Sequence, residues 1–264
     1  MTTLVKPRVA VHKFSSCDGC QLAFLNLGPA LLELNDKVEL VHFLEAGLDE
    51  VDSDVDIAFI EGSVSTSKDE ARLKRLRQQS RYLISIGACA TSGGIQSLRN
   101  LANTRKWTKA IYASPEYIDS LDKVMPIASV VKVDFELWGC PVSSEQLVTA
   151  IRSLLLGVLP NRQQDKLCLE CKRSQTICTL VTKGEACMGP LTRSGCGALC
   201  PAFGRDCYGC YGPAENLNTA AIQQCLAGLG LSTEAIHRRL NLIHSQPQPL
   251  TDKQDTSTTG EDTP

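Results

Sequence analysis

Residues 8–22, RVAVHKFSSCDGCQL, join a predicted β-strand to a closely spaced pair of cysteines. Residues 8–14 are rich in valine and end in phenylalanine, a composition typical of a strand, and Cys17 and Cys20 follow directly. Two further cysteines stand in the same relation to later predicted strands: Cys89 in IGACATSGG and Cys140 in WGCPVSSEQ. Because carboxyl ends of parallel strands share one edge of a sheet, we expect these four thiols to lie together.

Short apolar runs alternate with helical patterns through the first 160 residues, which predicts an α/β, flavodoxin-like parallel sheet domain over 1–160. The predicted strands are 8–14, 38–43, 57–61, 82–86 and 129–137, and the predicted helices are 20–34, 68–80 and 144–156. Residues 100–126 show weak periodicity, and no structure is predicted for them.

A small cysteine-rich iron-sulfur domain is predicted over 161–213, because the composition changes abruptly there. Only ten of the fifty residues 161–210 are Ile, Leu, Val, Phe, Met, Trp or Tyr, whereas eight are cysteine. Such a segment buries too little apolar surface to fold alone, so we expect metal to stabilise it. Its cysteines are Cys168, Cys171, Cys178, Cys187, Cys196, Cys200, Cys207 and Cys210.

Beyond this block the sequence predicts two C-terminal helices within 214–244 and a disordered tail over 245–264. The helices span 216–227 and 233–243, with Ser232 as the N-cap of the second. Cys225 shares a helical face with Ala221 and Leu217, which predicts a core position for it. The last twenty residues are polar and contain almost nothing to bury.

Composition limits the function classes. The formal net charge of −2 gives no reason to expect a nucleic-acid partner, and no apolar run reaches the length of a membrane span. The N-terminus shows no apolar leader, so we expect a cytoplasmic protein. In a reducing compartment, thirteen cysteines point to metal binding rather than to disulfides. No G-x-G-x-x-G follows a predicted strand, so nicotinamide and flavin are expected on other chains.

Twelve of the thirteen cysteines divide into three groups of four, the ligand number of a 4Fe-4S cluster. The simplest partition of the block assigns its first four cysteines to one cluster and its last four to another. Exchange between the halves stays open, since Cys200 precedes Pro201 as in ferredoxins whose ligands cross between clusters. The three groups therefore predict three 4Fe-4S clusters.

Two other interpretations remain open at this point. The CLEC and CYGC pairs have the spacing of zinc ligands, so a structural zinc-binding protein is an alternative for the block. A cysteine nucleophile with His12 or His42 as its base is a second alternative, although a single catalytic thiol needs no eleven companions. Both histidines fall in predicted strands, where local hydrogen bonding is the commoner fate.

The order SSCDGCQL, EGSVST, GACATSGG and GCPVSSEQ resembles the motifs of the small subunit of nickel-iron hydrogenases. The chain is most similar to the delta subunit of cytoplasmic bidirectional NAD(P)-linked hydrogenases, or sulfhydrogenases, over about residues 9–213. Two relatives differ from it: the small subunit of respiratory complex I has adjacent cysteines in its first motif, and the soluble NAD-reducing hydrogenases have one cluster in this subunit. An alternative within the family is the small subunit of a deazaflavin-linked or heterodisulfide-reductase-linked hydrogenase.

The resemblance implies that this oxidoreductase subunit has no catalytic residue of its own and relays electrons from a NiFe centre in a large subunit. It implies a proximal cluster held by the first four cysteines, a distal cluster by the next four and a medial cluster by the last four. The implied partners are the large subunit, a flavin NAD(P) reductase subunit carrying FAD, and a further iron-sulfur subunit. Hydrogen and NAD(P) would be interconverted, with sulfur reduction as an additional activity. Glu61 occupies the family's acidic position after the third strand, with a structural or a cluster-related role.

Overall fold

A computed structural model describes residues 6–49, 53–161 and 164–245. A single six-stranded sheet organises the first part of the chain. Its strands are β1 (Arg8–Lys13), β2 (Glu39–Phe43), β3 (Leu48–Asp49), β4 (Val55–Glu61), β5 (Ser80–Ile86) and β6 (Phe135–Leu137). The helices in this part are α1 (Gly19–Leu25), α2 (Pro29–Lys37), α3 (Ser67–Gln79), α4 (Gly87–Ser92), α5 (Thr104–Ile111) and α6 (Ser144–Leu155).

The strand order β3-β2-β1-β4-β5-β6 confirms the predicted flavodoxin-like sheet. All neighbouring strands are parallel except β2 and β3. Without β3, the five parallel strands run 2-1-3-4-5 in chain order, which is the flavodoxin arrangement. The antiparallel β3 has two residues, both exposed, and so lacks the apolar pattern from which a strand is predicted.

Apolar clusters cover both faces of the sheet. One contains Phe59 and Leu147 and packs α1 and α6 against the strands. The other contains Leu83 and Leu73 and packs α3 on the opposite face. The predicted helix 68–80 matches α3, whose first turn is closed by a capping box between Thr66 and Asp69.

Two predicted elements differ from the structure. The single helix predicted over 20–34 is divided into α1 and α2, because Gly28 adopts a φ of +57° and Pro29 begins a new helix. The strand predicted over 129–137 is reduced to β6, because a 3-10 turn ends at Ser129 and turns and irregular backbone occupy 130–134. Within 100–126, where no structure was predicted, the chain forms α5 and the 3-10 turn Pro115–Tyr117.

The cysteine-rich block contains only short helices: α7 (Leu167–Arg173), α8 (Thr179–Lys183) and α9 (Leu199–Ala202). Two further helices follow, α10 (Thr219–Gly228) and α11 (Thr233–Asn241). Their side chains Leu226 and Leu240 pack with Leu167 and Met188 of the block in one apolar cluster. The C-terminal helices therefore supply much of the apolar surface that the block lacks.

The C-terminal region corrects two predictions. Cys225 is exposed rather than in the core, because the neighbouring Leu226 faces inward. Ser245 is fully buried rather than part of a disordered tail, and the rest of that predicted tail, 246–264, lies outside the described residues. Ser232 caps α11 as expected, its hydroxyl accepting from the amide of Ala235 at 3.2 Å. Within the described ranges no helix is both long enough and apolar enough to cross a membrane.

Candidate iron-sulfur sites

The carboxyl edge of the sheet brings Cys17, Cys20, Cys89 and Cys140 together, and we call them the first group. Cys17 and Cys20 follow β1, with Cys20 in α1, while Cys89 lies in α4 after β5 and Cys140 lies just beyond β6. The amide of Ala88 donates to the carbonyl of Gly139 at 2.7 Å, which joins the last two loops. Burial, and then the charges of Cys140 and Cys17, raises the pKa of the Cys89 thiol to about 11.

Two glycines leave space around these sulfurs. At Gly87, with a φ of +82°, a Cβ would overlap the Sγ of Cys20. At Gly94, with a φ of +60°, a Cβ would stand 2.8 Å from the Sγ of Cys89. Larger residues would therefore meet both a strained backbone and a sulfur, so the loops are built for close approach to a bulky group.

Glu61, at the end of β4, anchors the first turn of α1. One carboxylate oxygen accepts from the amide of Cys20 and the other from the side-chain amide of Gln21, both at 2.9 Å. The side chain is buried, and burial raises the pKa of its carboxyl above the ordinary value. The structure thus gives Glu61 the structural role, since it holds the backbone of a first-group cysteine.

Cys168, Cys171, Cys178 and Cys187 form the second group. α7 carries the first two, Cys178 precedes α8, and a Cβ at Gly189 would lie 3.5 Å from the Sγ of Cys187 and 3.6 Å from that of Cys168. Burial, followed by the charge of Cys168 and then those of Cys187 and Cys178, raises the pKa of the Cys171 thiol to about 11. The charge of Cys196, from the third group, raises the pKa of this thiol as well, so the partition of the eight cysteines between two clusters stays a prediction.

The third group comprises Cys196, Cys200, Cys207 and Cys210. Glu170 of α7 supports the loop around Cys196, accepting from the amides of Gly195 at 2.7 Å and Ala198 at 3.1 Å. Burial, and then the charges of Cys196 and Cys140, raises the pKa of the Cys210 thiol to about 12. Cys140 belongs to the first group, so Cys210 is an electrostatic neighbour of thiols in both the first and the third group.

Contacts also join the third group to both of the others. The amide of Cys207 donates to the Sγ of Cys187 at 3.4 Å, which ties the third group to the second. The hydroxyl of Tyr211 donates to the carbonyl of Pro141 at 3.4 Å, which ties it to the loop of Cys140. The third group thus lies between the first and the second.

The donor set of each group is compatible with a 4Fe-4S cluster, because such a cluster takes four thiolates. The raised pKa values of Cys89, Cys171 and Cys210 mean that a metal must displace protons from these thiols on binding. Within the described ranges no three Cys, His, Asp or Glu side chains converge as the ligands of one ion. His12 of β1 and His42 of β2 face each other with ring centroids 4.4 Å apart and an angle of 31° between the rings. Burial, followed by the charges of His42 and Arg72, lowers the pKa of His12, so the contacts of His12 do not indicate a thiol base.

Two residues near the third group were not predicted from the sequence. Arg239 of α11 pairs with Asp206 and donates to the carbonyl of Cys207 at 3.2 Å. His244 contacts the carbonyl of Gly209. Neither belongs to a motif, and His244 stands beside a predicted tail, so no sequence signal indicated their positions.

Comparisons with known proteins agree with this arrangement. The family described as NADH ubiquinone oxidoreductase, 20 Kd subunit, matches residues 17–154, more than half of the chain. Sulfhydrogenase 2 subunit delta of Pyrococcus furiosus is 33% identical, over 88% of this chain and 97% of that protein. A vhu-type F420-non-reducing hydrogenase subunit of Methanococcus voltae is 31% identical, over 80% of this chain and 84% of that protein.

Solved structures show the same likeness. An NAD+-reducing NiFe-hydrogenase in the H2-reduced state matches with a TM-score of 0.55 and 28% identity, covering 60% of this chain and 95% of that chain. The NiFeSe-hydrogenase of Dm. baculatum shares the fold, with a TM-score of 0.56 at 15% identity, over 80% of this chain and 96% of that chain.

These relatives are hydrogenase subunits, which places the chain among oxidoreductase subunits whose catalytic site lies in a separate large subunit. The chain belongs to the family of the 20 Kd subunit of NADH ubiquinone oxidoreductase, among the small subunits of nickel-iron hydrogenases.

Proposed function

We propose that this chain is the electron-transfer small subunit of a cytoplasmic NiFe-hydrogenase and holds three 4Fe-4S clusters. Cys17, Cys20, Cys89 and Cys140 would hold the proximal cluster, the second group the distal cluster and the third group the medial cluster. When bound, such a cluster accepts and returns one electron. The chain's own task is to hold the thiolates, exclude water and direct amide hydrogens at sulfur.

The single observation that carries this proposal is the continuity of the three groups. The hydroxyl of Tyr211, next to Cys210, donates to the carbonyl of Pro141, next to Cys140, and the amide of Cys207 donates to the sulfur of Cys187, so the third group adjoins both others. Separate structural metal sites need no such alignment. A relay does need it, because an electron must pass from each centre to the next.

Burial and hydrogen bonds to sulfur support the redox role. Cys20, Cys187 and Cys207 are buried, and the amide of Gly209 donates to the Sγ of Cys207 at 3.3 Å. Both burial and hydrogen bonding to sulfur tune the reduction potential of a cluster. The chain can therefore give the clusters of the three groups different reduction potentials.

The proposed partners are suggested by the relatives. A large subunit would carry the NiFe centre, and a flavin NAD(P) reductase subunit with FAD, together with a further iron-sulfur subunit, would exchange electrons with the chain's other end. The reaction of the complex would be interconversion of H2 and NAD(P)+, with sulfur reduction as an additional activity. The likeness to a sulfhydrogenase delta subunit and to an NAD+-reducing hydrogenase supports this choice.

A second candidate keeps the clusters and changes the partner. F420-non-reducing hydrogenase subunits are also similar to this chain, which supports a heterodisulfide-reductase-linked complex instead, and the gamma subunit of a coenzyme F420 hydrogenase, 29% identical over 57% of this chain, supports a deazaflavin-linked one. Co-purification discriminates between the two. A flavin subunit that reduces NAD(P) at the expense of H2 supports the first candidate, and a complex inert toward NAD(P) but active with a disulfide acceptor supports the second.

Metal analysis of the anaerobically purified complex tests the proposal. We expect about twelve iron and twelve sulfide per chain after subtraction of the partners' shares. Cys178→Ser should lose about four of the twelve iron atoms, whereas Cys225→Ser, at an exposed cysteine outside the three groups, should lose none. About four iron with two zinc would contradict the proposal, because the block would then be a structural zinc module.

A further inference from the structure

His244 is enclosed where the sheet meets the cysteine-rich block, three residues beyond the end of α11. It is only 1% exposed. Its Nε2 lies 2.9 Å from the carbonyl oxygen of Gly209, and its Nδ1 lies 2.6 Å from the Oγ of Ser92. A carbonyl oxygen only accepts, so Nε2 carries the hydrogen of this contact.

The two partners of this ring belong to different cysteine groups. Ser92 is the last residue of α4, the helix that carries Cys89 of the first group. Gly209 lies between Cys207 and Cys210 of the third group. One buried side chain therefore connects the supports of two neighbouring groups.

Further contacts keep the ring in place. The indole of Trp138, two residues before Cys140, lies 5.3 Å from the imidazole between ring centroids. The hydroxyl of the next residue, Ser245, lies 2.5 Å from that of Ser97, which is also fully buried. The chain end that carries His244 is thus fastened to the sheet domain rather than lying loosely over the block.

Gly209 transmits the position of His244 to a sulfur. Its carbonyl oxygen accepts from the imidazole, and its amide donates to the Sγ of Cys207 at 3.3 Å. Loss of the imidazole contact would free the backbone at Gly209 and weaken the amide contact. Groups that orient ligands in this way commonly change the affinity or activity of a metal site by about 10- to 100-fold when removed.

We propose that His244 is a positioning residue, which sets the hydrogen bond on the Cys207 sulfur through Gly209 and holds the first and third groups in register through Ser92. This inference rests on the proposed function. A hydrogen bond to sulfur stabilises the more negative, reduced form of a cluster. Removing it should lower the reduction potential of the third-group cluster and slow electron transfer between the two groups.

The test is a potential-controlled electron paramagnetic resonance titration of the whole complex. His244→Phe keeps a ring but removes both hydrogen bonds, whereas His244→Gln keeps an N–H that can donate to Gly209. We expect H244F to lower the third-group potential and to reduce H2-dependent acceptor reduction about tenfold. H244Q should restore most of both. His237→Phe, at an exposed histidine of α11, is the matched control and should resemble the wild type.

Wild-type potentials in H244F would overturn the inference, and so would equal shifts in H244F and H244Q, since the loss would then belong to the ring and not to its N–H. If H244F does not assemble, Ser92→Ala replaces it, and a smaller shift in the same direction is expected while an unchanged potential refutes the role. A wild-type complex without iron in the block would instead refute the proposed function, so the two failures are distinguishable.

Discussion

The sheet domain and the cysteine-rich block are stabilised in different ways. In the sheet, large apolar side chains such as Phe59, Leu83 and Leu147 are completely buried on two faces. In the block, the buried cluster includes the cysteines Cys187 and Cys207 and depends on Leu226 and Leu240 from the C-terminal helices. Packing of apolar side chains is therefore enough to stabilise the sheet domain. In the cysteine-rich block, thiols occupy interior positions that apolar side chains fill in an ordinary core.

This difference separates folding from cluster binding in one chain. The sheet can present the first group on a scaffold that exists before any metal arrives, because Cys20 is the one member of that group in its large apolar core. Under the proposed function the block must fold around its clusters, because its buried interior includes the ligand cysteines Cys187 and Cys207. The two regions should therefore respond differently to loss of metal and to loss of apolar volume.

The largest effect is expected from removing iron. Chelation of the complex under mild oxidation should abolish amide hydrogen-exchange protection across 167–210 while β4 and β5 keep theirs. Structural metals in small domains supply on the order of 10 kcal/mol of folding free energy, far more than this block's apolar cluster can replace. Equal loss of protection in both regions, or in neither, would contradict the comparison.

The next effect is expected from single cysteines. Cys207→Ser, at a buried third-group cysteine, should remove about four iron atoms per chain and reduce H2-dependent acceptor reduction at least tenfold. Cys225→Ser changes the same residue type at an exposed position and should leave iron content and activity unchanged. Iron content and activity are measured on the two purified complexes. Equal values for the Cys207 and Cys225 variants would contradict the assignment of Cys207 as a cluster ligand.

A smaller effect is expected from truncating the sheet core. Phe59→Ala should lower the free energy of unfolding of the sheet by about 3–5 kcal/mol, because it leaves a cavity between β4 and the helices. Hydrogen exchange in β4 and β5 measures this loss. Leu32→Ala, at an exposed position of α2, should change it by less than about 0.5 kcal/mol. Loss of iron from the block in the Phe59 variant, at a temperature where the sheet is still folded, would show that the regions are not independent.

The smallest effect is the acid sensitivity of the sheet. Burial, aided by the charges of His42 and Arg72, lowers the pKa of His12 from 6.5 to about 3. The unfolded chain therefore binds a proton that the folded chain excludes, and stability falls as the pH drops below 6.5. Between pH 6.5 and 5.5 the expected loss is about 1 kcal/mol.

His12→Gln should remove this part of the pH dependence. Denaturant unfolding of the sheet at the two pH values measures it, with iron content monitored so that cluster loss is not mistaken for it. If the free energy of unfolding of H12Q depends on pH as strongly as that of the wild type, the folded protein also binds the proton at His12. His237→Gln, at an exposed histidine, is the control.

Sequence reasoning succeeded where a local pattern carries the information. Strands β1, β4 and β5 are buried along nearly their whole length, so their apolar runs predicted them well. It failed at 20–34, where a helical pattern continues through a break at Gly28, and at Cys225, where the helical face was misjudged by one position. Small differences in helix phase and backbone conformation decide such cases, and a pattern of residue types does not encode them.

The sequence by itself determined the class of the fold and the family, because strand periodicity and the order of the cysteine motifs can be read along the chain, while the division of twelve thiols into three sets of four stays its prediction. Only the tertiary structure decided that the third group lies between the other two, that Glu61 holds the backbone of Cys20, and that His244 joins α4 to Gly209. These three hydrogen-bonded pairs join residues 35 to 152 positions apart, and such contacts depend on how distant segments of the chain pack together.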